Sequence, residues 1–250
     1  MSDKIYTSAL IIIGDEVLSG RTHDKNTPWI AERLNEIGVR LAEVRIIPDK
    51  KDVISNTVNE MRAIHDYVFT TGGIGPTHDD ITAESIAHAF GVELKLHDGA
   101  YKELLNYYED ESQITESRKK MAYIPEGGEL VDNPVSGAPG IKMDNVFIFA
   151  GVPKIMQSMF DSVAPHLVGG KQMMSRSVTA DIPESVLADD LGVIQAKYEN
   201  VSIGSYPQYK NGRFSTAVVM RSIDEESLGS AINDVFELAK SKSEKEPLVS

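Results

Sequence analysis

The stretch Tyr67-Val-Phe-Thr-Thr-Gly-Gly-Ile-Gly-Pro-Thr-His-Asp-Asp80 decides the fold. Its first four residues are β-branched or aromatic and read as a strand, and the strand runs into a turn rich in glycine and proline. Beyond the turn, Thr82 reads as the cap of a helix that Gly91 closes. A strand that feeds a glycine-rich turn and then a helix is a unit of an α/β domain.

The residues on either side repeat that order. Tyr6 to Ile13 (YTSALIII) is an unbroken apolar run, as expected of a strand buried on both faces, and it stops at Gly14-Asp-Glu16. Thr27-Pro28 predicts a helix start, with Thr as N-cap and Pro at the first helical position. Trp29, Ile30, Leu34 and Ile37 share one face of that helix, and Gly38 ends it. Val39 to Ile47 follows as a strand broken by Pro48-Asp49, and 52–64 as a helix. After the decisive stretch come a short edge strand at 92–97, helices at 101–108 and 114–121, and the loop Asn133-Pro-Val-Ser-Gly-Ala-Pro-Gly140. A buried strand at 146–150 then ends at Gly151-Val-Pro153, which opens a helix striped by Met156, Met159, Phe160, Val163 and Leu167. This order predicts a three-layer α/β domain on a mostly parallel sheet, spanning 1–170. Gly169-Gly170 marks its end. The pattern strand, helix, strand, strand, helix over 171–250 predicts a small α+β subdomain with a frayed polar tail from Ser241.

Composition narrows the chemistry. The chain has 250 residues, 41% of them hydrophobic, a formal net charge of −13 and no cysteine. Disulfide scaffolds, thiolate zinc sites and thiol nucleophiles are therefore excluded, and a reducing compartment, the cytoplasm, is expected. The acid excess lies mostly in 1–170 and disfavours DNA or RNA as partners, which require clustered Lys and Arg. The N-terminus lacks a charged-then-apolar signal pattern. The longest apolar run, Ala9 to Ile13, is far short of a membrane span, so a soluble, unprocessed chain is expected.

In an open parallel sheet, ligands bind outside the carboxyl ends of the strands. Gly14-Asp15-Glu16, Pro48-Asp49, Gly72 to Asp80 and Gly151-Val-Pro153 all fall at such ends. Gly72, Gly73 and Gly75 allow close approach of a ligand to backbone amides, as phosphate-cradling loops require. Asp79 and Asp80 suit a hard divalent cation, with one expected to face the ligand and the other to cap the next helix. The same stretch also reads as a plain tight turn with an acidic helix start. No dinucleotide fingerprint, P-loop, zinc-protease motif or nucleophile elbow occurs. Of six histidines only His78 is placed for chemistry; His65, His88, His97 and His166 read as surface or helix-end residues. Ser136 to Gly140 reads either as a rigid loop for a flat ring or phosphate or as an ordinary turn, and Asn133 either bonds a ligand or its own turn.

Gly14-Asp-Glu-Val-Leu-Ser-Gly20, Thr71 to Thr82, Asn133 with Gly137-Ala-Pro-Gly140, and Gly151-Val-Pro153 occur in an order that resembles the molybdopterin-binding-type domain of the competence/damage-inducible protein A family. The same domain resembles the N-terminal part of eukaryotic FAD synthases, and Ser202-Ile-Gly-Ser-Tyr-Pro207 is similar to a segment of their next subdomain. The resemblance implies a fold like that of molybdenum-cofactor biosynthesis proteins, with a nucleotide or pterin across the strand ends. It also implies hydrolysis of a pyrophosphate bond in ADP-ribose or FAD, dependent on Mg²⁺ or Co²⁺ and helped by K⁺, in a homo-oligomer, a dimer or trimer. Related molybdopterin adenylyltransferases have one catalytic Asp in the loop, which corresponds to Asp80. Asp49 corresponds to an acidic position near the metal, and the departure at His78-Asp79 argues against adenylyl transfer. The length leaves no room for the amidase domain of full-length family members. The leading expectation is a metal-dependent nucleotide pyrophosphatase. Gly72, Gly73, Gly75, Pro76 and Thr77, with Asn133, Gly137, Ala138, Pro139 and Gly140, would hold the nucleotide. Asp80, with Asp49 or Asp79, would hold the metal, and Glu16 would act as base or merely cap its strand. A non-catalytic pterin- or nucleotide-binding module is the rival, and adenylyl transfer the third.

Overall fold

The computed structural model describes residues 4–210 and 213–250; the first three residues of the N-terminal segment read above lie outside that range. The chain divides into two compact units, one ending at Gly170 and one beginning at Lys171.

The first unit runs β1 (Tyr6–Ile13), α1 (Asp15–Leu18), α2 (Asn26–Glu36), β2 (Val39–Ile47), α3 (Lys51–Ile64), β3 (Tyr67–Thr71), α4 (Thr82–Phe90), β4 (Leu94–Leu96), α5 (Asp98–Tyr108) and α6 (Glu116–Lys119). It continues with β5 (Tyr123–Pro125), β6 (Glu129–Val131), β7 (Gly140–Met143), β8 (Val146–Phe149) and α7 (Pro153–Val163). Six strands form one sheet in the order β2-β1-β3-β8-β7-β6. The first four are parallel, and β7 and β6 close that edge by antiparallel pairing.

Burial of the central strands on both faces follows from their alternation. Ala9, Ile11 and Ile13 of β1 pack with Ile54, Val58 and Met61 of α3, Ile86 of α4 and Leu104 of α5. Leu10 and Ile12 turn to the other face, where Ile30 and Leu34 of α2 meet Met156, Met159 and Phe160 of α7. Phe69 is fully buried there and stacks on Phe147 and Phe149, with ring centroids 5.3 and 5.8 Å apart. The expected three-layer α/β arrangement is the observed one.

Several local expectations are corrected. Helix α2 begins at Asn26, because Asp24 rather than Thr27 caps it: Asp24 Oδ1 accepts the Asn26 and Thr27 amides at 2.9 and 3.1 Å. Thr82 does not cap α4; it is the first helical residue, and its hydroxyl donates to the Gly72 carbonyl at 3.0 Å. The short strand at 94–96 is not an edge of the main sheet but pairs with β5 in a sheet of two. Its Leu-Lys-Leu sequence is too polar and short for a buried position. The helix expected over 114–121 is split, since Thr115 Oγ1 accepts the Arg118 amide and starts α6 afresh. Strands β6 and β7 had no signal, being three and four residues with glycine and lysine among them.

The second unit comprises β9 (Met174–Ala180), α8 (Ala188–Lys197), β10 (Ser202–Lys210), β11 (Arg213–Ser222), α9 (Glu225–Lys242) and β12 (Leu248–Val249), with a sheet in the order β10-β11-β9-β12. Val178, Val218 and Met220 of the sheet pack on Leu228, Ala231 and Val235 of α9. The tail is not frayed: β12 pairs antiparallel with β9, and Ser250 exchanges both backbone bonds with Ser177.

Phe69→Ala removes the ring at the centre of the aromatic stack and should cost about 3–5 kcal/mol. Val193→Ala, at an exposed position, should change stability by less than about 0.5 kcal/mol. Urea denaturation of the two variants checks both.

Candidate functional site

Strands β2, β1, β3 and β8 are adjacent and end nearly level, with Ile13 opposite Ile47, Ile12 opposite Thr71 and Thr71 opposite Phe149. Their following loops therefore converge. The Gly14 amide donates to Ile47 O and the Gly72 amide to Phe149 O, each at 3.1 Å. Gly72 has φ +107°, and a Cβ there would lie 2.2 Å from the Ile13 carbonyl oxygen, so only glycine fits. Gly151 lies against the Gly72 Cα, and its carbonyl accepts from Asn26 Nδ2 at 2.9 Å. Asp15, Glu16, Asp49, the Gly72–Asp80 turn and Gly151 thus share one edge.

Within the turn, Thr77 is the hub. Its amide donates to Asp80 Oδ2 at 2.8 Å, and its hydroxyl is 2.5 Å from the same oxygen and also bonds Asp79 Oδ1. Neither aspartate caps α4, contrary to the expectation, because both carboxylates fold back onto Thr77. Asp80 lies over Gly75, where a Cβ would meet its carboxylate at 2.7 Å. The Thr77 hydroxyl, followed by Asp79's own amide, holds the Asp79 carboxyl below its ordinary pKa; the charges of His78 and Lys120 act in the same direction. Burial pushes the Asp49 carboxyl up. The Asp15 amide, 2.9 Å from Asp49 Oδ2, partly offsets that, while the charges of Asp15, Glu16 and Asp79 push it further. The carboxylates acting on Asp49 are these three, whereas Asp80 is turned towards Thr77 and Gly75. Glu16 sits in the first turn of α1 with its carboxylate against Gly14. His78 is almost fully exposed, 4.0 Å from Asp79.

The second glycine-containing loop divides. Asn133 is buried and fully employed in its own turn: Nδ2 donates to Ser136 Oγ and Ala138 O, and Oδ1 accepts the Val135 and Ser136 amides. These are the turn contacts that the alternative reading of Asn133 expects. Gly137, with φ +71°, packs on the Tyr107 ring, and Ala138 and Gly140 are buried in the sheet edge. Asn133 and Gly137 border a different feature, an open groove of about 640 Å³ between α5 and α7 that includes Glu103, Asp132 and Asp161. Only Pro139 reaches the Gly72–Asp80 turn, in a small cavity of about 50 Å³ whose lining includes Gly73, Gly75, Asp80, Glu84 and Lys120.

Two residues of this edge escaped the sequence reading. Asn26 was hidden by placing the helix start on Thr27; its Oδ1, like Thr71 Oγ1, is buried without a hydrogen-bond partner. Lys120 donates to the Thr77 carbonyl at 2.7 Å. Its signal was the basic run Arg118-Lys-Lys120 in an acidic chain.

Residues 9–168 match the family model of a probable molybdopterin binding domain. The chain belongs to that family. Residues 172–246 match the middle domain of FAD synthase. A probable FAD synthase of Caenorhabditis briggsae is 32% identical over 247 residues, covering 89% of this chain and 47% of that protein. A CinA-like protein of Fervidobacterium nodosum is 32% identical over 212 residues, covering 81% and 51%. The chain spans about half the length of these relatives. The crystal structure of the protein CinA, of unknown function, from Thermoplasma acidophilum is 30% identical with a TM-score of 0.60, covering 64% of this chain and 96% of that one. The motif-based resemblance to CinA-like proteins and FAD synthases therefore holds. No helix among the described residues is long and apolar enough to cross a membrane.

The raised pKa of Asp49 has a definite sign. Its folded-state carboxyl holds a proton more tightly than the ordinary value of 3.8, so its ionisation opposes folding above that pH, and the penalty disappears below it. Asp49→Asn keeps an oxygen for the Asp15 amide and should raise the thermal midpoint at neutral pH, with the gain fading as pH falls through about 4. Calorimetry across pH checks this.

Proposed function

We propose that this edge binds a nucleotide through its diphosphate and hydrolyses the pyrophosphate bond of ADP-ribose-like or FAD-like substrates with a divalent metal, Mg²⁺ or Co²⁺. One observation carries the reading. The family's glycine turn, with Asp79 and Asp80 at its end, stands beside Asp49 at the carboxyl edge of a parallel sheet, where α/β folds bind ligands. The match to the middle domain of FAD synthase supports a flavin or adenine nucleotide as the substrate class.

The donor set fits a magnesium-like ion. Among the described residues no three His, Asp or Glu side chains gather closely enough to hold an ion alone. Magnesium, however, needs only one or two carboxylates when substrate phosphates supply the rest. The mutual repulsion felt at Asp49 is what a cation would relieve. Asp80, with Asp49 or Asp79, would hold it. When bound, the metal supplies charge neutralisation on the phosphates and a water of lowered pKa.

The chain's own groups do the remainder. Within the turn the amides of Gly73, Ile74 and Gly75 would face the phosphate, since that of Gly72 is bonded to Phe149 O, that of Thr77 to Asp80 Oδ2, and Pro76 has none; the fixed turn orients the phosphate without reorganisation. Glu16, beside Gly14, is the carboxylate available to take a proton from the attacking water. The water oxygen bonds to one phosphorus, the bridging oxygen leaves with the other, and ADP-ribose yields AMP and ribose 5-phosphate. FAD would yield AMP and FMN.

A binding module without turnover is the second reading. It is favoured by the commitment of both aspartates to Thr77. Incubation with ADP-ribose or FAD, K⁺ and either Mg²⁺ or Co²⁺ should release AMP, and Asp80→Ala should reduce the rate by about a hundredfold or more. Tight binding with no AMP under either metal contradicts hydrolysis and favours the module.

A further inference from the structure

The candidate edge is crowded with carboxylates, yet its proposed ligand is an anion. Asp15, Glu16, Asp49, Asp79 and Asp80 all belong to it. A diphosphate approaching this surface meets repulsion unless a positive charge is built into the same wall.

The cavity beside the glycine turn contains such a charge. Of its lining residues Lys120 alone is basic. It comes from the segment after α6, far along the chain from the turn, and its Nζ donates to the Thr77 carbonyl at 2.7 Å, 43 residues away in sequence. That bond takes one of the three donors of an ammonium. No carboxylate lies within ion-pair distance of Lys120 among the described residues, although the two lysines flanking the wider region are spent. Lys51 pairs with Glu84 at 2.7 Å, which partly offsets the Glu84 charge, and Lys119 lies 3.9 Å from Glu116. Asp80 and Lys120 are thus the two charged residues of the cavity lining without an ion-pair partner among the described residues, with the Lys120 charge also acting on Asp79.

We infer that Lys120 is the anion-recognising residue of this edge, selecting a diphosphate-bearing ligand over a neutral ring. The inference rests on the reading of the edge as a nucleotide diphosphate site and names the group that sets its ligand class. The ammonium is anchored to the turn by one hydrogen bond and keeps two donors for phosphate oxygens. Its charge offsets the carboxylates that the turn itself carries. Lysine binds phosphate as a compact point charge, whereas the broader guanidinium fork binds it bidentately.

The structural alternative is that Lys120 only braces the Thr77 carbonyl. Lys120→Gln separates the two, because a carboxamide can still donate to that carbonyl but has no charge. Calorimetric titration of the full chain with inorganic pyrophosphate, at two salt concentrations, reads the anion site without requiring turnover. Lys120→Gln should weaken pyrophosphate binding by about tenfold to a hundredfold, the scale of a charged hydrogen bond, and flatten its salt dependence. Lys120→Arg should recover part of the loss. In AMP release from ADP-ribose, the KM should rise more than kcat falls. Unchanged pyrophosphate binding and salt dependence in Lys120→Gln overturns the inference and leaves Lys120 as a brace. If the wild-type chain binds pyrophosphate through Lys120 yet releases no AMP, the hydrolytic reading fails while the anion site stands. If the wild-type chain binds no pyrophosphate at all, both fall.

Discussion

Everything at the candidate site depends on the contact between Gly72 and the carbonyl of Ile13. A side chain at residue 72 would collide with that oxygen at 2.2 Å, so the end of β3 can lie against the end of β1 only because the residue is glycine. The contact sets the turn in place from both sides. The Gly72 amide is held by Phe149 O of β8, and the Gly72 carbonyl is held by the Thr82 hydroxyl at the start of α4. Gly151 closes over the same Cα and is itself held by Asn26. The loops after β1, β3 and β8 are thereby fixed against one another by backbone groups and the side chains of Asn26 and Thr82, while Asp49 holds the Asp15 amide and Asp79 and Asp80 fold back onto Thr77.

That division of labour explains the electrostatics. Asp49 is bonded to the Asp15 amide, and Asp79 and Asp80 to Thr77, rather than to a lysine or arginine. Asp49 is the place where crowding shows, since burial and its acidic neighbours both raise its pKa. Asp79 is relieved by the Thr77 hydroxyl and, less strongly, by Lys120. Such a surface repels an anion and attracts a cation, which is the electrostatic ground of the metal proposed for it.

The frame of the fold was legible in the sequence because its signals are local and strong. The apolar run of Tyr6–Ile13, the Pro153 helix start and the glycine stops at 38 and 91 each correspond to a structural feature. What escaped was non-local or too short. Strands β6 and β7 acquire their structure only by pairing beside β8, and β12 only by pairing with β9. At the site, the turn and Asp49 were visible as residues at strand ends. The engagement of Asp79 and Asp80 with Thr77 was not, because adjacent carboxylates give no hint of which partner each will find. Asn133 and Gly137 were visible as a loop, yet their groove is lined by α5 and α7 and includes no residue of the glycine turn. Lys120 was invisible in its role, since only the tertiary fold brings it against Thr77.

The central claim is that one edge, built on Gly72, is where a nucleotide diphosphate binds. Amide hydrogen exchange of the full chain with and without ADP-ribose tests it most directly. The account predicts slowed exchange in residues 14–16, 72–80 and 151–153 and in the segment around Lys120, with the groove at 132–137 unchanged. Protection confined to that groove, or no protection at the glycine turn under saturating ligand, would contradict it.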